Sequence, residues 1–363
     1  MPRAPSLTAR RSAALLGIHR PSTPVPAFTS GYLFAITNPG AERVLKHEIA
    51  AAGLEWRPGF QARGFVTFKS PAVEAPFGAR DLLQPVAFAR RLCLFAGKAD
   101  TLDGARALLA TAGPAELPLH HLRMTEGWLM PAPGEPPAAL TAGQMAATVV
   151  EFSPAEFWAG LHWHEPLLSP FPGGCSGVTL PEDAPSRAWL KLEEAARFFG
   201  LTFSARDVVV ELGCAPGGVL LALLRRGVSV IGVDPAKLAP IVMERAVAEV
   251  PASGKAPHQP WAVHCRKPAA LVSKRDLAGH ATWFMSDMNQ SPAVAIKECA
   301  RFTKMCPSIR SALITLKLTD LTEASAKPAW IDAMQRMGFQ TVRLQQLCVH
   351  HRELVLLGLG RRD

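Results

Sequence analysis

The chain has 363 residues, 48% of them hydrophobic and 19% charged, enough for two or three domains with substantial cores. No apolar run reaches the roughly 18–20 residues of a membrane span, so no spanning helix is expected. The 39 Lys and Arg against 30 acids give a net charge of +9 and a pI near 9.4, which fits either a polyanionic partner or simply solvated basic faces.

Residues 1–28 are rich in Arg, Pro, Ser and Ala. Arg10-Arg11 before Ser-Ala-Ala-Leu-Leu faintly resembles a signal peptide. The apolar run is short and ends at His19-Arg20-Pro21, so a disordered tail is expected. Residues 32–36 read as a strand, Asn38-Pro39-Gly40 as a turn, and 41–49 as an amphipathic helix with Val44, Leu45 and Ile49 on one side. With a strand at 64–68, this opening suits a small α+β module. A strand at 86–95 carrying Arg90 and Arg91, a helix at 105–112, a Pro-rich loop at 130–137 and a Thr-capped helix at 141–152 are expected next.

Residues 153–185 read as a mixed connection. Trp158, His162, Trp163 and His164 cluster there, as a base-stacking surface or, more simply, as a packing patch between domains. The stretch 166–185, rich in Pro, Gly and Ser, is taken as the linker. No repeat of fixed period is present.

From Ser186 an α/β pattern takes over. A helix spans 186–199 with Ser186 as a candidate cap. Strands are expected at 208–212, 229–233, 261–264, 282–286, 311–317, 341–348 and 353–359, with helices between the first six. The last two are joined only by a short link at His350-His351-Arg352, a hairpin that inserts one antiparallel strand into a parallel sheet. Seven strands ending in a hairpin form the Rossmann-like α/β sheet of class I methyltransferases. The expected organisation is therefore a tail (1–28), an α+β region (29–165), a linker (166–185) and a class I domain (186–363).

The stretch Asp207-Val-Val-Val-Glu-Leu-Gly-Cys-Ala-Pro-Gly-Gly218 organises that domain. A buried β-branched strand runs into a glycine turn, and the apolar run 219–224 forms the next helix. Glycines admit positive φ and let a ligand approach the backbone, and the helix N-terminus offers free N–H groups. The spacing is neither G-x-G-x-x-G nor a P-loop. Asp234 ends the second strand about 20 residues on, where a doubly wound fold places a ribose-binding carboxylate.

Four ionisable residues stand at the matching sheet edge. Asp287 and Lys317 end strands, Glu353 opens the antiparallel one, and Lys191 lies on the preceding helix. Ligands of open α/β sheets bind outside the carboxyl ends of the strands, so all four can converge beside Gly213–Gly218.

Ser186-Arg-Ala-Trp-Leu-Lys191, Leu212-Gly-Cys-Ala-Pro-Gly-Gly218, Ser286-Asp287-Met288, Leu316-Lys317-Leu318 and His351-Arg352-Glu353 resemble the motifs of FtsJ-like ribose 2′-O-methyltransferases. The order Lys–Asp–Lys–Glu is that family's catalytic tetrad. Within the family the chain looks closest to the RlmM-type branch, which methylates a cytidine ribose in large-subunit 23S ribosomal RNA and carries an N-terminal THUMP region that binds RNA. The resemblance implies S-adenosylmethionine as cofactor, with no metal. Its contacts would come from Ser186, Gly213, Ala215, Pro216, Gly217, Gly218, Asp234 and Asp287, and catalysis from Lys191, Asp287, Lys317 and Glu353. Lys317 would be the base, since burial and a second ammonium favour a neutral lysine. Lys191 would be its electrostatic partner, and Cys214 a packed thiol.

In one respect the chain departs from the family. The acid that usually contacts adenine after the third strand is absent from Val263-His-Cys-Arg-Lys-Pro-Ala269. Two rivals stand beside the resemblance: a dehydrogenase on a Rossmann sheet, and a non-catalytic RNA-binding protein. The seven scattered cysteines, without a C-x-x-C pair, argue against a disulfide framework or zinc site and fit a reducing cytoplasm. A monomer is expected, with RNA as partner and no membrane.

Overall fold

A computed structural model describes residues 28–52, 54–74, 86–114, 116–133, 139–164, 168–251, 259–277 and 280–362, without the side chains of 72–74. The tail expected at 1–28 lies, except for Phe28, outside the described residues. The chain divides into two compact units, Met1–Gly177 and Val178–Asp363.

The first unit holds an eight-stranded sheet. Its elements are β1 (Thr29–Ile36), α1 (Glu42–Ala51), β2 (Arg57–Ala62), β3 (Phe65–Glu74), β4 (Arg91–Ala99), α2 (Leu102–Ala112), β5 (Leu119–Thr125), β6 (Trp128–Pro131), β7 (Met145–Ser153) and β8 (Glu156–Trp163). The strand order is β2-β3-β1-β4-β8-β7-β5-β6. Ala105, Leu109 and Ala112 of α2 pack on one face, with Val149, Phe157 and Leu161. The opposite face gathers Phe34, Phe65, Cys93, Val150 and Trp158, and its cluster contains strand residues only. Glu42 accepts from the Gly64 N–H and Glu48 from those of Ala87 and Phe88, tying α1 to the loops.

The helix expected at 141–152 is a strand. β7 pairs with β8 antiparallel and β5 parallel, and all but its last two residues are buried. Both faces are covered, so no period-2 alternation betrays it. Thr141 closes a turn instead, its N–H donating to Gln144 Oε1 at 3.0 Å. Likewise β8 replaces the irregular connection expected from residue 153, and β6 occupies the start of the expected loop at 130–137. Trp158, His162, Trp163 and His164 are all buried, but in and just after β8, where Trp158 and Trp163 pack in cores of the first unit itself rather than in a connection between domains. The strand expected from residue 86 begins at Arg91.

The second unit contains α3 (Ala188–Phe199), β9 (Val208–Leu212), α4 (Gly218–Arg225), β10 (Ser229–Val233), α5 (Pro240–Met243), β11 (Ala262–Cys265), α6 (Lys274–Leu277), β12 (Trp283–Ser286), α7 (Pro292–Met305), β13 (Ser311–Lys317), α8 (Lys327–Arg336), β14 (Thr341–Gln345) and β15 (Glu353–Leu359). Its sheet order is β11-β10-β9-β12-β13-β15-β14. Neighbouring strands are parallel up to β13, and β15 runs antiparallel to both β13 and β14. This is the expected class I methyltransferase sheet. Its order reverses between β9 and β12, so a crevice opens at their carboxyl ends. From Gly218 to Leu224, α4 is apolar and buried, and its side chains share one core with Val209, Val230, Leu192 and Phe198. No helix of the described residues is long and apolar enough to cross a membrane.

Candidate active site

The turn leaving β9 is shaped by crowding. Gly213 has φ +78° and Gly217 φ +112°, both in the region that favours glycine. A Cβ on Gly213 would lie 2.8 Å from the Met288 nitrogen, and one on Gly217 2.7 Å from Val242 Cγ2. On Gly218 it would come within 2.4 Å of Ser186 Oγ. Among the described residues no side chain caps the N-terminus of α4, so its first N–H groups remain for a ligand. Asp234, past the end of β10, bridges the turn: its Oδ2 accepts from Ala215 N–H at 3.2 Å and its Oδ1 from Ala236 N–H at 2.8 Å. Ser186, Gly213, Ala215, Pro216, Gly217, Gly218 and Asp234 thus surround one turn.

The four ionisable residues also meet. Lys191 is carried by α3, an amphipathic helix that buries Trp189, Leu192 and Phe198, ends in left-handed Gly200 and is pinned by a Glu193–Arg226 ion pair. Lys191 Nζ donates to both oxygens of Asp287, at 3.1 and 3.2 Å, and to Glu353 Oε1 at 2.8 Å. Lys317 Nζ lies 3.5 Å from Asp287 Oδ1 and donates to the Asp287 carbonyl at 3.3 Å. Asp287 is therefore shared by two lysines. The four side chains keep between 14% and 26% of their surface exposed, so the cluster is open to a substrate yet partly desolvated. Burial lowers the Lys191 pKa, but the charges of Asp287 and Glu353 and hydrogen bonds to both outweigh it, and the net direction is upward. Lys191 is a fixed ammonium.

Three neighbours escaped the sequence reading as site residues. Glu211, next to last in β9, is 2% exposed, and its Oε2 finds no hydrogen-bond partner among the described residues. Burial first, then the charges of Asp287 and Asp234, hold its carboxyl well above the usual carboxylate range. That carboxyl, displaced toward its protonated form, lies beneath both halves of the site. Ser286 Oγ is buried and likewise unpartnered. His350 is wholly buried, and its pKa is pushed down to about 3 by burial and the Lys191 charge. It accepts at Nδ1 from Leu347 N–H, 3.2 Å away. Glu211, Ser286 and His350 line a cavity of about 20 Å³ with Lys191, Asp287 and Thr315. An acid inside an otherwise apolar β-branched run was the signal for Glu211, whereas nothing local marks Ser286 or His350.

At the β11 edge, where the family's usual acid is missing, Asp276 reaches in from α6 and binds Lys267 at 2.7 Å. His264 Nε2 lies 3.0 Å from the Asp234 carbonyl. Cys93, Cys214, Cys265, Cys299 and Cys306 are buried free thiols, whereas Cys175 and Cys348 are disulfide-bonded, which scattered spacing did not lead one to expect; the Cys214 thiol is pushed far up by burial, consistent with packing rather than reactivity.

A family model for FtsJ-like methyltransferases matches residues 184–320. The chain is similar over almost its whole length to the Ribosomal RNA large subunit methyltransferase M of Laribacter hongkongensis (strain HLHK9). The identity is 30% over 363 residues, covering 90% of this chain and 95% of the relative. The protein of the same name from Pseudomonas savastanoi pv. phaseolicola (strain 1448A / Race 6) is 28% identical over 277 residues, 73% of this chain and 69% of that one.

Proposed function

The chain belongs to the FtsJ-like methyltransferases, and on that premise we propose that it methylates the 2′-hydroxyl of a ribose, a cytidine's, in 23S ribosomal RNA. The observation that carries the reading is Asp287 bridging Lys191 and Lys317 beside the glycine turn. The turn fits S-adenosylmethionine: three glycines whose Cβ positions are closed, an uncapped helix start for the methionine carboxylate, and Asp234 for ribose hydroxyls. When bound, the cofactor supplies a methyl group on a sulfonium cation.

The residues divide the remaining work. Lys317 accepts the proton of the 2′-hydroxyl as that oxygen attacks. Lys191, charged throughout, offsets negative charge that gathers on the oxygen. Asp287 fixes both lysines, and Glu353 holds Lys191 in place. Keeping hydroxyl and methyl in line contributes roughly 7–11 kcal/mol when well achieved. Gly213, Ala215, Pro216, Gly217, Gly218 and Ser186 hold the cofactor. Residues 29–165 grip RNA in a THUMP-like manner, 166–185 connect and 186–363 catalyse. The protein acts in the cytoplasm as a monomer. Mapping 2′-O-methyl groups in ribosomal RNA from cells lacking the protein tests this: one 23S ribose should lose its methyl and regain it with the gene. An unchanged methylation map would refute the reading.

A further inference from the structure

Among the described residues, the Phe34–Trp158 cluster on one face of the first unit's sheet contains no α-helix residue, and two of its neighbouring rings stand open to solvent. On it, Tyr32 is 48% and Phe60 45% exposed, the former the chain's single tyrosine. Phe60 stacks on Trp158 with centroids 5.2 Å apart and planes 20° apart. Phe95 meets Trp158 at 5.3 Å and Tyr32 at 6.4 Å, while Phe152 meets Phe60 at 6.3 Å. The rings therefore form one continuous patch over β1, β2, β4, β7 and β8. The rings beneath are largely buried, so Tyr32 and Phe60 form its outer layer.

Cations border the patch. Register sets Arg57 opposite Lys69, and Lys69 opposite Tyr32, so all three share the face. Arg57 and Lys69 are exposed. Lys98, the cross-strand partner of Trp158, holds its ammonium 3.8 Å from that ring's centroid. The acid beside it, Glu156, is engaged by Lys98 at 3.6 Å and by the Trp158 N–H at 3.0 Å. Exposed rings bordered by cations suit unpaired bases on a phosphate backbone, where stacking is sequence-tolerant and the backbone charge is matched. A surface that paired with a second copy of itself would set these cations against like charges.

We propose that this face binds single-stranded RNA, bases stacking on Tyr32 and Phe60 and phosphates facing Arg57, Lys69 and Lys98. The proposal deepens the RNA reading above and rests on it for the class of partner.

The test uses the full chain and a short single-stranded RNA carrying 2-aminopurine, with the duplex of the same sequence as comparison. Binding should quench the fluorophore and favour the single strand. Tyr32→Ala and Phe60→Ala should each weaken binding about tenfold, while Tyr32→Phe keeps it. Lys98→Gln should lower the salt slope by about one. S-adenosylmethionine binding, by calorimetry, should not move in any of these variants. Wild-type affinity in both alanine variants, equal binding of duplex, or a dimer lost with these rings would overturn the proposal. If the wild-type protein binds as described but methylates no RNA, the catalytic reading fails and the surface stands. Tyr32→Ala against Tyr32→Phe keeps the test decisive should Phe60→Ala unfold.

Discussion

Lys317 and Glu353 are direct partners across β13 and β15, yet the Glu353 carboxylate binds Lys191, 2.8 Å away. The two lysines are therefore unequal. Lys191 is held by two carboxylates, whereas Lys317 shares one of them at 3.5 Å and a carbonyl. A base must shed its proton, and a group between two carboxylates resists that most.

This inequality predicts opposite outcomes for one substitution. Lys191→Arg keeps the charge that Lys191 carries with its raised pKa, and should retain activity within about tenfold with an unchanged pH profile. Lys317→Arg stays protonated at any working pH and should lose about 10²–10⁴-fold, the usual worth of a general base. Rate against pH for both variants, with radiolabelled cofactor, checks this; equal losses would remove the division of roles.

Cofactor affinity should depend on the turn and its bridge. Asp234→Ala removes a carboxylate and frees the Ala215 and Ala236 N–H groups, so binding of S-adenosylmethionine should weaken about 10–100-fold, as for a charge-assisted hydrogen bond. Gly218→Ala should be as damaging, because its Cβ would meet Ser186 and the Trp189 nitrogen, 3.0 Å away. Calorimetry reads both, and wild-type affinity in Asp234→Ala would take that residue out of the site.

Glu211 makes stability depend on pH. Its folded-state pKa is raised, so its contribution is complete below the unfolded value of about 4.3 and is lost as pH rises through the folded one. Glu211→Gln keeps the shape and cannot ionise. Melting temperature should fall with alkaline pH more steeply in the wild type than in Glu211→Gln, and parallel curves would mean that Glu211 is not held neutral.

Much of this was legible in the chain because it is local. Val208-Val-Val-Glu-Leu before three glycines dictates strand, turn and helix, and an acid or lysine at each strand end falls on one edge by topology alone. What stayed hidden depends on distant pairing. β7 carries helix-forming Met145, Ala146 and Ala147, but β5 and β8 on either side supply the hydrogen bonds that decide its state. The expected helix lost to that tertiary context. In the same way His350 enters the site through the turn between β14 and β15, and Asp276 reaches Lys267 from a separate helix, which no spacing rule encodes.

If Lys317 takes the proton of a ribose 2′-hydroxyl, both that lysine and that hydroxyl are indispensable. Methyl transfer from labelled S-adenosylmethionine to 23S ribosomal RNA from cells lacking the protein, compared with RNA carrying 2′-deoxyribose at the modified nucleotide, tests it most directly. Wild type should transfer methyl to the ribose substrate alone, and Lys317→Ala should transfer none despite normal cofactor binding. Transfer to the deoxy substrate, or near-wild-type turnover by Lys317→Ala, would contradict it.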